Sequence, residues 1–127
     1  MSEPDLLIED VDAVRRITLN RPDAKNTLTA SMLSGLIGAL DNANTDSGVR
    51  LIVLTNSGNT FCAGADLSAA RPGVAALEGA DKPVGLSNVF EAMTASAKPI
   101  IGRIDGHAVG GGVGLVAACD LSYVRSD

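Results

Sequence analysis

Apolar residues recur along this chain with two different periods, and the changes of period mark its elements. Leu6 to Val11 and Val14 to Asn20 cluster apolar and β-branched residues on either side of Asp12-Ala13, which predicts two strands joined as a hairpin. Asn20-Arg21-Pro22-Asp23 then breaks the second strand. From Thr29, whose hydroxyl suits an N-cap, Met32, Leu33, Leu36, Ile37 and Leu40 return every three or four residues, so an amphipathic helix is expected to about Asn44. Arg50 to Asn56 is a short, mostly apolar run, the pattern of a strand covered on both faces. Ser68 to Gly85 holds Pro72, Gly73, Gly79, Pro83 and Gly85 without a sustained period, and reads as a mobile loop with at most one helical turn.

A second helix is expected over Leu86 to Ala97, with Val89, Phe90, Met93 and Ala97 facing inward and Lys98-Pro99 ending it. Ile100 to Ile104 reads as a buried strand, Gly110 to Cys119 as a buried helix made wholly of small and apolar residues, and Leu121 to Val124 as the start of one more strand. Strands alternating with helices in this order give an α/β fold with crossover helices. No internal repeat or low-complexity tract interrupts it.

Composition narrows the picture. A chain of 127 residues that is 46% hydrophobic can bury one core and has no room for two ordinary domains, so residues 1–127 read as one domain. Aromatics are confined to Phe61, Phe90 and Tyr123, while glycine reaches 14, which favours closely packed α/β layers over a sandwich. A net charge of -5, with ten Lys and Arg scattered along the chain, leaves no basic patch for a nucleic-acid backbone. The acidic start lacks the pattern of a signal peptide, and no run of about 18 apolar residues exists, so a cytoplasmic protein without membrane contact is expected. Cys62 and Cys119 lie in apolar or Gly/Ala surroundings and fit reduced, buried thiols. With His107 as the sole histidine, no metal site at a recognised spacing is expected.

Two glycine-containing segments carry the candidate chemistry. Asn59 to Leu67 follows the strand at Leu51 to Thr55, and Gly106 to Gly114 follows the strand at Ile100 to Ile104 and runs into a helix. Glycines at a helix start let a ligand approach the backbone, where free N–H groups and the helix dipole favour negative charge. If the loops face each other, one N–H from each could converge on a single oxygen. The same glycines also serve where a helix merely packs closely on a sheet. Gly112, Gly114 and Ala117 further fit G-x-G-x-x-A, but a dinucleotide fold needs a second strand with an acidic residue about 20 residues on, and the sequence ends before that point.

Several segments jointly resemble one family. Leu19-Asn20-Arg21-Pro22 followed by Asn26 resembles the early L-N-R-P…N turn of the crotonase superfamily, the enoyl-CoA hydratase/isomerase family. Phe61-Cys62-Ala63-Gly64-Ala65-Asp66-Leu67 resembles its F-x-A-G-A-D-L segment. Lys98-Pro99-Ile100-Ile101 through Gly106-His107-Ala108-Val109-Gly110-Gly111-Gly112 resembles its K-P-x-I…G-x-A-x-G-G-G segment, and Cys119-Asp120-Leu121 its C-D-hydrophobic ending. The resemblance implies a crotonase-like α/β spiral of β-β-α units, truncated before the carboxy-terminal helical region that completes the active site and trimer contacts in longer members.

It also implies an acyl-CoA thioester as ligand, with coenzyme A part of the substrate and no separate cofactor. The N–H groups of Ala65 and Gly111 would form an oxyanion hole for the thioester oxygen and stabilise an enolate. Ala63, Gly64, Ala65, Asp66 and Leu67 would hold adenine and pantetheine through their backbone, with Gly110 beside Gly111. Lys25 would meet a CoA phosphate, although a turn lysine also has the simpler reading of a solvated side chain. A homo-oligomer, trimer or hexamer, is the family's assembly.

Departures from the pattern matter as much. Hydratases of the family carry a glutamate two residues after the third glycine and another some twenty residues later. The first position is Gly114 here, and the second lies beyond Asp127. The stretch alone is therefore expected to be inactive in hydration, with either acyl-CoA chemistry or a non-catalytic CoA-binding or structural role left open for the protein. His107 falls at a variable position of the motif, and Asp66 and Asp105 read as loop-capping residues rather than acids.

Overall fold

The computed structural model describes residues 3–65 and 85–126. Leu6–Val11 (β1) and Val14–Leu19 (β2) form the expected antiparallel hairpin, turning through Asp12 and Ala13 at positive φ. A short 3-10 turn over Pro22–Ala24 leads to α1, Ala30–Thr45, whose Thr29 hydroxyl accepts from Met32 N–H at 3.1 Å. Then follow β3 (Leu51–Asn56), β4 (Thr60–Cys62), α2 (Leu86–Ala95), β5 (Ile100–Ile104), β6 (His107–Ala108), α3 (Gly111–Ala118) and β7 (Leu121–Val124).

Strands β1, β2, β3, β5 and β7 lie in that order in one sheet, parallel from β2 onward. Ile17, Leu19, Ile52, Leu54, Ile100 and Ile104 point from one face of it into a core completed by Met32, Leu36 and Leu40 of α1, Val89 and Met93 of α2, and Leu115 of α3. Burial of these side chains is the main favourable term holding sheet and helices together. The sequence-based expectation that β3 is covered on both faces is corrected here. Leu51 and Val53 are half-buried, and Leu121 and Tyr123 on the same side are exposed, because the described helices stack on the opposite face only.

Two further expectations need adjustment. The second helix stops at Ala95, before Ala97, which is exposed. There the Ser96 hydroxyl donates to Lys98 C=O at 2.8 Å, and Ala97 N–H donates to Asn44 Oδ1 at 2.8 Å, so side chains replace the next helical bonds. The small-residue helix α3 is buried only along Gly112 and Leu115, with Val113 exposed. The loop expected over Ser68 to Gly85 lies outside the described residues except for Gly85, which caps α2.

Polar ties fix α1 on the hairpin side of the sheet. Arg15, 6% exposed, makes a two-point ion pair with Asp10 at 2.8 Å and donates to Asn42 Oδ1 at 2.8 Å and to Ala39 C=O at 3.2 Å. Lys98 Nζ donates to the Ala43 and Asp46 carbonyls at the carboxy-terminal end of α1, where a cation complements the helix dipole.

The Arg15 hydrogen bonds hold the Asp10 carboxyl below the usual aspartate range. A depressed carboxyl stabilises the fold above its unfolded-state pKa of about 3.9, and that contribution disappears as pH falls through the lower folded value. Asp10→Asn is therefore expected to lower the urea midpoint at pH 7, with the gap to the unsubstituted protein closing below about pH 4. A gap independent of pH contradicts the role given to this pair.

Candidate functional site

The site is built by a second, two-stranded sheet that the periodicities do not reveal. β4 runs parallel to β6, with Thr60 opposite His107 and Cys62 opposite Ala108, and Val109 N–H donates to Cys62 C=O at 3.0 Å. Each strand leads directly into one of the glycine loops, so their pairing sets the loops side by side. Gly64 has φ +96, open to glycine at little cost, and a Cβ on it would lie 3.4 Å from Gly111 N. A Cβ on Gly111 would in turn lie 3.7 Å from Gly64 Cα.

The start of α3 presses against β4 so closely that a Cβ at Gly112 would stand 2.1 Å from the Cys62 carbonyl oxygen. No other residue fits there without moving the helix. On its far side the first loop is held by the strand-to-helix turn. Ala63 N–H donates to Lys25 C=O at 3.1 Å, and Leu28 N–H donates to Gly64 C=O at 2.8 Å, with Leu28 and Ala65 forming an isolated parallel bridge. In a parallel bridge one residue uses its own peptide groups and the other is held by its neighbours; here Leu28 donates its own N–H to Gly64 C=O, so the N–H of Ala65 faces away from Leu28. Among the described residues neither Ala65 N–H nor Gly111 N–H donates to a backbone carbonyl.

The structure thus brings Ala63, Gly64, Ala65, Gly110 and Gly111 into one neighbourhood. Ala65 and Gly110 are exposed there, and Ala63 and Gly111 half-buried. Lys25 is exposed in a left-handed conformation, φ 56, with its carbonyl tied to Ala63. Asp66 and Leu67 lie outside the described residues. His107 is exposed, and Asp105 pairs with Arg125 at 3.0 Å.

Neither cysteine is poised as a nucleophile. Burial pushes the Cys62 thiol up, against a weaker opposing hydrogen bond with Gly64. The Cys119 thiol is pushed up to about 11, by burial first and with the Asp120 charge adding to it, while a hydrogen bond with Ser122 opposes the shift. No group of His, Cys, Asp or Glu suited to a metal ion occurs among the described residues.

At Gly114 the absence of a side chain is filled by Phe90, whose Cζ lies 2.4 Å from where a Cβ would stand. Residue 114 has room for the aromatic edge of α2 and not for an acid. Sequence reasoning identified Gly114 as a departure but not the ring that occupies its place.

A family model for enoyl-CoA hydratase/isomerase matches residues 9–127, and the chain belongs to that family, the crotonase superfamily. A probable enoyl-CoA hydratase of Mycobacterium tuberculosis, echA6, is 42% identical over 120 residues, a match covering 94% of this chain and 46% of that protein. A putative enoyl-CoA hydratase of Thermus thermophilus is 38% identical over 107 residues, covering 83% and 42% respectively. The crystal structure of an enoyl-CoA hydratase/isomerase from Pseudoalteromonas atlantica T6c superposes with a TM-score of 0.85 at 30% identity, covering 95% of this chain and 47% of the other. AtuE of Pseudomonas aeruginosa gives 0.85 at 30% identity, covering 98% and 49%. The fold is the crotonase fold, and the chain spans about half the length of the relatives it matches.

The Phe90–Gly114 contact has a measurable consequence. Gly114→Glu is expected to destabilise the protein by about 1–3 kcal/mol more in the presence of Phe90 than in a Phe90→Ala background, as overpacking relieved by removing the ring. Urea unfolding of the four proteins in the cycle measures this, and equal losses in both backgrounds contradict it.

Proposed function

We propose that this chain forms the thioester-oxygen site of an acyl-CoA-utilising protein of fatty-acid metabolism. The Ala65 and Gly111 N–H groups donate to the thioester carbonyl oxygen. When the α-proton leaves, charge accumulates on that oxygen, and two fixed donors beside a helix amino terminus stabilise the enolate. The backbone of Ala63, Gly64, Ala65, Asp66 and Leu67 holds adenine and pantetheine, Gly110 keeps the approach to Gly111 open, and Lys25 meets a CoA phosphate. Coenzyme A enters as part of the substrate, and the working protein is a homo-oligomer.

The observation that carries this reading is the close approach of Gly64 to Gly111. Two loops that packed only for stability would have no need to leave both neighbouring N–H groups without a backbone acceptor among the described residues. The Phe90 ring at Gly114 favours a second, narrower reading, in which the site binds acyl-CoA without hydrating it. Adding water requires an activating base and a proton donor within hydrogen-bond reach, and residue 114 supplies neither.

Exchange of thioester α-protons with deuterated solvent reports enolate formation directly. In the protein made from its full reading frame, Gly111→Pro removes one donor and is expected to slow this exchange by about 10²–10³-fold. Gly111→Ala keeps the N–H and displaces only the flexible end of Leu86, and is expected to retain most of the rate. Undiminished exchange in Gly111→Pro contradicts the assignment, whereas tight acyl-CoA binding without exchange in the unsubstituted protein selects the binding-only reading. The 127-residue stretch by itself is expected to hydrate crotonyl-CoA negligibly.

A further inference from the structure

Two asparagines deep in the fold account for how the loops keep their places. Asn26 is fully buried, at 0% exposure, in the turn between β2 and α1. Its Oδ1 accepts from Arg21 N–H at 2.6 Å, and its Nδ2 donates to Thr60 C=O at 2.8 Å and Ser57 C=O at 3.1 Å. Asn56, buried at the end of β3, accepts from Asp105 N–H at 2.9 Å and donates to Asp105 C=O at 2.9 Å. The same Nδ2 reaches the Ser57, Gly58 and Thr60 carbonyls, each at 3.3 Å. Both amides therefore meet at two carbonyls, that of Ser57 and that of Thr60, the first residue of β4.

Each connection leads to a different donor loop. Asn26 sits in the turn whose Lys25 carbonyl and Leu28 N–H grip Ala63 and Gly64, just before Ala65. Asn56 grips Asp105 between β5 and β6, on the segment that runs on to Gly111. Thr60 lies in the β4–β6 pairing between them. Only an amide side chain offers both an acceptor for a backbone N–H and donors for carbonyls at this short reach, and the partners fix which way each amide points.

We propose that Asn26 and Asn56, joined at the Ser57 and Thr60 carbonyls, are positioning residues that set the separation of the Ala65 and Gly111 N–H groups. This rests on the thioester-oxygen function proposed above. Neither side chain touches the ligand, and both act through the backbone.

The test uses Asn26→Ser, Asn56→Ser and the double variant in the protein from its full reading frame. The readout is the infrared carbonyl band of hexanoyl-CoA carrying ¹³C at the thioester carbon. Binding to the unsubstituted protein is expected to lower the band, each variant to lower it less, and the double variant to resemble the worse single one, since both act on the same short segment, Ser57 to Thr60. A merely structural role would reduce the urea midpoint and leave the bound band unchanged, so folded variants with the full band shift overturn the proposal.

Should the variants not fold, hydrogen exchange in the unsubstituted protein decides. The Asn26 Nδ2 protons and the Ala63 and Asp105 N–H are expected to exchange through one common opening, and Ala63 exchanging more than about tenfold faster than the Asn26 amide overturns the proposal. A band that does not move on the unsubstituted protein contradicts the thioester function instead. The exchange experiment needs no ligand and judges the clamp independently.

Discussion

The parallel pairing of two very short strands, β4 and β6, is the interaction on which the site depends. The five-stranded sheet delivers β3 and β5 side by side, but parallel neighbours alone would let the segments after them diverge. Thr60–Cys62 and His107–Ala108 instead pair again beyond the main sheet, and the glycine loops leave that pairing together. Everything proposed for Ala65 and Gly111 follows from this second registration. It also explains Gly112, because α3 starts so near Cys62 C=O that no Cβ fits between them.

So short a pairing is weak by itself, and the surrounding fold supplies what it lacks. Asn56 and Asn26 satisfy buried carbonyls at the point where β3 gives way to β4, and unsatisfied polar groups there would oppose the arrangement. Thr55 adds a bond from its hydroxyl to Arg103 C=O at 2.9 Å, tying β3 to β5 just before the loops begin. Asp120 anchors the other end of β5, its carboxylate accepting from Ile100 N–H at 2.7 Å. Helix α1 is tied down by Arg15 and Lys98. Rigid placement of two donors is what makes such a site more useful than two N–H groups in water.

Much of this was legible in the sequence wherever the signal is local. The β1–β2 hairpin, the Thr29 cap, the four- to six-residue apolar strands and the small-residue helix each follow from neighbouring residues, and the structure contains them all. What stayed hidden depends on distant partners. Thr60–Cys62 and His107–Ala108 are too short and too glycine-flanked to register as strands until they meet. The open face at Leu51 and Val53 reads as buried because the strand is apolar on both sides, while only one side meets described helices. Asn26 was visible solely as a motif residue, since a polar residue after a proline turn ordinarily faces solvent, and its complete burial emerges only with Ser57 and Thr60 in place. Gly114 announced the missing acid, whereas Phe90's occupation of its space required the packing of α2 on α3.

The most direct measurement of the central claim, that the two loops serve one oxygen, is amide NMR during titration of the protein from its full reading frame with a saturated acyl-CoA. The Ala65 and Gly111 N–H resonances are expected to shift downfield together along a single saturation curve, and more than with free coenzyme A, which lacks the thioester carbonyl. Movement of only one of the two, or equal shifts with free coenzyme A, would contradict a shared thioester oxygen.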